Sequence, residues 1–244
     1  MAGKKRPGFG RDVSPQYTNI VERLKALANP ESVAGMARYG INARSAYGVS
    51  IPDLRQLARE FGKNHHLALM LWASGNHEAR ILASMVEEPA EVSNEQMEAW
   101  AGSFNSWDLC DQCCNNLFRK LAAAHRKALE WAAREEEFVK RAGFVLMACL
   151  AVHDKNADDA EFLKFIPVIG RESTDERNFV KKAVNWALRQ IGKRNANLKT
   201  AALEAADEIR LMDSPAAKWI ATDAIRELTG PPSTRFLKKH PGRD

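Results

Sequence analysis

Segments of similar internal form recur along this chain, at residues 78–86, 108–118, 139–150, 180–191 and 216–228. Each carries charge near its start and an apolar stripe of helical period behind it. Their starts lie 30, 31, 41 and 36 residues apart, with a shorter helical segment between most of them. A helix with one apolar stripe needs a neighbour to bury it, and similar helices at this interval bury theirs against one another as stacked two-helix units. No alternating apolar–polar run of strand length, bounded by hairpin turns, competes with this pattern.

Capping signals mark where helices begin and end. Ser50 with Asp53 forms a capping-box pattern, and Pro52 sits in the first turn of a helix through Glu60. Ser93 and Gln96 repeat the device ahead of residues 97–104. Asn76 caps a helix that Pro89 stops, and Ser214 with Pro215 opens a last helix that Gly230 and the following prolines close. We expect an all-α fold, a curved α-solenoid of HEAT-like two-helix repeats, with an irregular helical bundle as the alternative. Such a surface suits something long, a peptide or a nucleic acid.

The longest apolar run is 11 residues, 142–152. A bilayer span needs ~20, so this run is a buried helix. The basic N-terminus has no apolar stretch behind it and is not a signal peptide. We therefore expect a cytoplasmic protein without a membrane partner. The net charge of +5 divides unevenly, with +3 in residues 1–12, +3 in residues 231–244 and −1 between. The expected layout is a basic disordered tail over 1–14, one repeat domain over 15–230 and a basic C-terminal tail over 231–244.

Cys110, Cys113, Cys114 and Cys149 include one C-x-x-C, but no second pair completes a zinc site. They read as small apolar residues packing a helix, and no metal site is expected. The histidines show no ligand spacing, and His65 and His66 read as surface residues. No phosphate-binding loop or dinucleotide glycine pattern is present, so no cofactor is expected.

Three helices place polar or aromatic residues off the core stripe. In the helix around Trp186, Val180, Val184, Ala187, Leu188 and Ile191 form the core stripe, while Lys182, Trp186, Arg189 and Lys193 recur on the opposite face. Between Arg171 and Lys199, Arg194 included, eight cations face three acids. A cationic surface with an aromatic in it suits a nucleic-acid backbone. A solvated face with Trp186 packed on a neighbouring repeat fits the periodicity equally well. Trp107 and Asp111 stand four apart at the margin of the next helix's apolar arc, where Asp111 could simply favour the helix dipole. Arg141 lies in a helix apolar nearly all round, so it should be buried and paired. Asp111, one repeat earlier, is the plausible partner, and the cation should lower its pKa. A structural staple between repeats is the other reading of that pair.

Taken in order, these pieces resemble the DNA alkylation repair family, the HEAT-like-repeat alkylpurine DNA glycosylases of the AlkD type. The resemblance begins at Ala28-Asn29-Pro30-Glu31 and Met36-Ala37-Arg38-Tyr39 and runs through Tyr47-Gly48-Val49-Ser50-Ile51-Pro52-Asp53-Leu54-Arg55. It continues through Ser106-Trp107-Asp108-Leu109-Cys110-Asp111, Val139-Lys140-Arg141-Ala142 and Lys182-Ala183-Val184-Asn185-Trp186, and ends near Asp223-Ala224-Ile225-Arg226. It implies a catalytic carboxylate at Asp111, cleft tryptophans at Trp107 and Trp186, an arginine beside the scissile bond at Arg141 and a DNA-contacting tyrosine at Tyr39. Lys182, Arg189, Lys193 and Arg194 would contact phosphates. The implied activity is hydrolysis of the N-glycosidic bond of cationic N3- or N7-alkylated purines in duplex DNA, by a monomer without a cofactor. The alternative is a noncatalytic HEAT-like-repeat binder of DNA structures. Ser106 stands where some relatives carry another tryptophan, and the polar segment 154–159 departs from the repeat pattern.

Overall fold

In a computed structural model, residues 14–231 are described, so the expected terminal tails lie almost wholly outside them. The described residues are helical, without a strand. The chain falls into two compact units, one ending at Val92 and the other beginning at Ser93. No helix among the described residues is long and apolar enough to cross a membrane.

The first unit holds α1 (Ser14–Ala26), α2 (Pro30–Met36), α3 (Ile51–Phe61), α4 (His65–Ala73) and α5 (His77–Val86). Its helix starts follow the capping signals. The Ser50 hydroxyl accepts from the Asp53 amide and donates to the Asp53 carboxylate at 2.6 Å, and Asn76 accepts from the Ala79 amide at 2.9 Å. α5 ends at Val86, before Pro89, because Glu87 is already extended. The buried Glu78 carboxylate accepts from the amides of Tyr47 and Gly48 at 2.8 and 2.6 Å, fixing the loop before α3. Gly48 has φ +77°, and a Cβ there would meet the Asn29 carbonyl at 2.3 Å, so only glycine fits. His65 departs from the surface reading: its Nδ1 meets the Glu87 carboxylate at 2.8 Å.

The second unit holds α6 (Asn94–Gly102), α7 (Trp107–Asn116), α8 (Ala124–Ala132), α9 (Glu137–His153), α10 (Asp159–Leu163), α11 (Ile166–Glu172), α12 (Asn178–Gly192), α13 (Ala196–Arg210) and α14 (Pro215–Thr229). α9 is buried from Val139 to Ala151 and packs against α7, α8 and α12. Its approach to α8 is close enough that a Cβ on Gly143 would sit 2.4 Å from the Ala132 amide nitrogen. All four cysteines are buried in this core as free thiols; burial pushes Cys149 up to about 12 and Cys114 well above the ordinary thiol value. They are inert packing groups.

Polar links roughly one repeat apart tie neighbouring helices. Lys127 and the Trp131 indole donate to Glu98 at 2.5 and 2.8 Å, and Lys140 donates to Glu172 at 2.9 Å. Ser214 donates to Glu176 at 3.0 Å. The segment at 154–158 closes through Asp154, which meets the His125 ring at 3.0 Å and accepts from the amides of Asn156 and Ala157. Arg194 donates to the carbonyls of Ala151 and Ala157 and lies 4.2 Å from the centre of the Phe162 ring.

Lys140 is buried, and Glu172 and Asp175 are its carboxylate partners. Burial pushes the Glu172 carboxyl up, but hydrogen bonds from Lys140 and Arg171 outweigh it and hold the group below its ordinary 4.5. Its stabilisation is therefore full above that value and disappears as pH falls through the lower folded-state value. Glu172→Gln is expected to cost about 1–3 kcal/mol at neutral pH by stripping a buried lysine of a partner. That cost should vanish at the foot of the acid limb, as read by urea unfolding at a series of pH values; an equal cost at every pH would contradict it.

Candidate functional site

α7, α9 and the start of α12 bring the first group of expected site residues together. Trp107 opens α7, Asp111 follows one turn later, and Leu109, Cys110 and Cys113 bury the helix's other side. The Arg141 side chain, 7% exposed, enters from α9. Its Nε and Nη2 donate to the two Asp111 carboxylate oxygens at 2.9 and 2.8 Å, and its Nη1 donates to the Phe179 carbonyl in the first turn of α12 at 2.6 Å. One guanidinium therefore spans three repeats. Its carbon lies 5.9 Å from the centre of the Trp107 ring.

This fork fixes the chemistry of Asp111. With both oxygens accepting from N–H donors, the geometry is that of an ionised carboxylate, and each oxygen keeps a further acceptor position. The expectation that the cation sets the pKa needs correcting. Burial is the largest influence and pushes the Asp111 carboxyl above its ordinary 3.8, against the downward pull of Arg141; the Asp108 carboxylate adds to the rise. The sequence shows the partner but not the desolvation, which comes from the packing of α7 against α9.

Trp186 lies half-buried on α12, about two turns beyond Phe179, on the side away from the core stripe. Lys182, one turn before it, is exposed. The rest of the expected basic stripe is neutralised within the protein. Arg189 and Lys193 both pair with Glu227 of α14, and Asp223 of α14 approaches Arg189 at 3.5 Å. Asp223 also accepts from the buried Asn185 amide at 2.7 Å and pairs with Arg226. Arg194 points onto backbone carbonyls, as described above. Tyr39, in the first unit, ends a 3-10 turn and is 69% exposed.

Asp223, Glu227 and the Phe179 carbonyl are the site's neighbours that the helical pattern did not reveal. The signal was the repeat offset itself: Asn185–Asp223 and Arg189–Glu227 are both 38 residues apart.

Among the described residues, no group of three or more His, Cys, Asp or Glu side chains could hold a metal. What the site offers is a fixed anion beside an electron-rich ring. That pairing stabilises positive charge developing nearby.

Removing Arg141 leaves the partly buried carboxylate without its partner. Arg141→Ala should lower stability by about 3–5 kcal/mol, whereas Arg141→Ala combined with Asp111→Asn should recover a substantial part of the loss. Chemical unfolding of the single and double variants measures this; additive losses would contradict the coupling.

Comparison with known proteins bears on the fold and the family. A structure described as a new family of proteins related to the HEAT-like repeat DNA glycosylases, with affinity for branched DNA structures, superposes with TM-score 0.72. It is 19% identical and covers 86% of this chain and 94% of that one. A predicted DNA alkylation repair enzyme from Enterococcus faecalis matches with TM-score 0.58 at 19% identity, over 87% of this chain and 98% of that one. The fold is thus that of HEAT-like repeat proteins. An uncharacterized protein of Listeria innocua is 26% identical over 197 residues, 79% of this chain and 86% of that protein. An uncharacterized protein of Listeria monocytogenes is 25% identical over the same shares. The family model for DNA alkylation repair enzymes matches residues 20–228. Nearly every described residue falls within that match, and the chain belongs to the DNA alkylation repair enzyme family.

Proposed function

We propose that this protein is a monofunctional DNA glycosylase that releases cationic N3- or N7-alkylated purines from duplex DNA, acting as a monomer in the cytoplasm where the DNA lies. The observation that carries the reading is the Asp111 carboxylate, held by the Arg141 fork with Trp107 beside it. An alkylated purine already bears positive charge and leaves with the electron pair of the glycosidic bond, so it needs little help from a general acid. The departing base exposes an oxocarbenium-like sugar. An ionised Asp111 stabilises that charge and positions the water that adds to the anomeric carbon, accepting its proton as the bond forms. Indole faces at Trp107 and Trp186 add attraction of about 0.5–2 kcal/mol each toward a cationic sugar or base. Lys182 supplies a phosphate contact, and Tyr39 a second point of contact with DNA.

A second reading has its own support. Arg141 occupies both Asp111 oxygens, which suits a purely structural staple, and a neighbour in fold is described as having affinity for branched DNA structures. On that reading the protein binds DNA structures without excising a base.

Single-turnover assays on duplexes carrying N7-methylguanine or N3-methyladenine separate the two. The glycosylase reading expects the wild type to release base above the spontaneous rate. Asp111→Asn, folded and binding equally, should be slower by a factor of about 100–1,000, the scale of removing one preorganised electrostatic stabiliser from a transition state. Duplex binding with no release above background would leave the noncatalytic reading.

A further inference from the structure

The ion pairs on α12 and α14 divide the cations of these helices into two classes. Arg189 and Lys193 are tied to Glu227, Arg226 to Asp223, and Lys218 to Asp213 at 3.2 Å. Among the described residues, no carboxylate pairs with Lys181 or Lys182, in the first turns of α12. The ammonium of Lys181 instead lies 5.8 Å from the ring centre of Trp219, on the neighbouring α14. Trp219 is 41% exposed, unusual for an indole that could have been buried in a core this apolar.

Lys181 beside an exposed indole, with the exposed Lys182 next to it in the chain, forms a surface of definite chemistry. Phosphates are attracted to cations that no internal acid already satisfies, and a sugar or base stacks on an open aromatic face. The place matters equally. Arg141 donates to the Phe179 carbonyl, two residues before Lys181, so this surface is joined through α12 to the Asp111 carboxylate. An apolar partner would leave both ammonium groups desolvated without acceptors, whereas a polyanionic strand satisfies them.

We propose that Lys181 and Trp219, with Lys182, form a strand-binding surface that grips the sugar-phosphate backbone beside the Asp111–Arg141 site. The self-paired cations Arg189, in the last turn of α12, and Lys193, just past its end, contribute little. This rests on the reading of the protein as DNA-binding but not on base excision. Lys181 takes a phosphate, and Trp219 stacks on the adjoining sugar or an exposed base. The cation–π contact orients Lys181 before the strand arrives.

Fluorescence anisotropy of the full chain with a labelled, lesion-free duplex tests it. Lys181→Ala and Trp219→Ala should each weaken binding by about five- to tenfold, while Trp219→Phe keeps most of the affinity. The slope of log affinity against log salt should fall by about 0.9 for Lys181→Ala and stay unchanged for Trp219→Ala. Arg189→Ala should have a smaller effect than Lys181→Ala. Thermal melting of each variant shows whether the fold is kept; Lys181→Ala carries the test if Trp219→Ala melts early. Affinities of Lys181→Ala and Trp219→Ala both indistinguishable from the wild type, or an Arg189→Ala that binds more weakly than Lys181→Ala, would overturn the proposal, as would a wild type that does not bind duplex. A wild type that binds but releases no alkylated base defeats the glycosylase reading alone.

Discussion

The Arg141 guanidinium is the constraint around which the second unit's site is arranged. It is buried in a helix that is apolar on nearly every side, and a charge there is tolerated only with its hydrogen bonds satisfied. Asp111 from one repeat and the Phe179 carbonyl from the next supply the acceptors. The same contacts tie α7, α9 and α12 together and hold the carboxylate in one orientation. A structural need and a chemical one are met by one set of bonds, so neither reading of Asp111 excludes the other.

Similar links recur at the repeat interval in this unit. Glu98 joins α6 to Lys127 and Trp131 of α8, Glu172 meets Lys140, and Glu227 meets Arg189 and Lys193. Apolar burial supplies the driving force for stacking and the polar links select the register, because a slip by one residue would leave charged groups unpaired at low dielectric. Charge is thereby spent internally. A cation count taken from the sequence overstates what a ligand meets, and the few cations without an internal acid gain in importance.

The helical architecture was legible because it is local. Ser50, Asn76, Ser93 and Ser214 each cap a helix as their spacing implied, and Val180, Val184, Leu188 and Ile191 are buried as one stripe. The pairing of Arg141 was legible for a related reason: an arginine within so apolar a segment must find an acid. The fate of Arg189 and Lys193 was not, because it depends on how α14 is rotated against α12, which no single helix's periodicity states. Arg194 reads as one more surface cation in a basic run, yet it turns back onto two carbonyls and the Phe162 ring. The net rise in the Asp111 pKa is hidden from the sequence in the same way, since burial is a property of the assembled repeats.

The glycosylase reading requires Asp111 to present a negative charge at neutral pH although burial works against it. Carboxyl carbon-13 resonances of aspartate-labelled protein, with Asp111 assigned by its loss in Asp111→Asn, measure that charge directly. The Asp111 signal is expected at the position of an ionised carboxylate at neutral pH. A signal at the protonated position would contradict that reading, leaving a neutral acid that could not stabilise a cationic sugar.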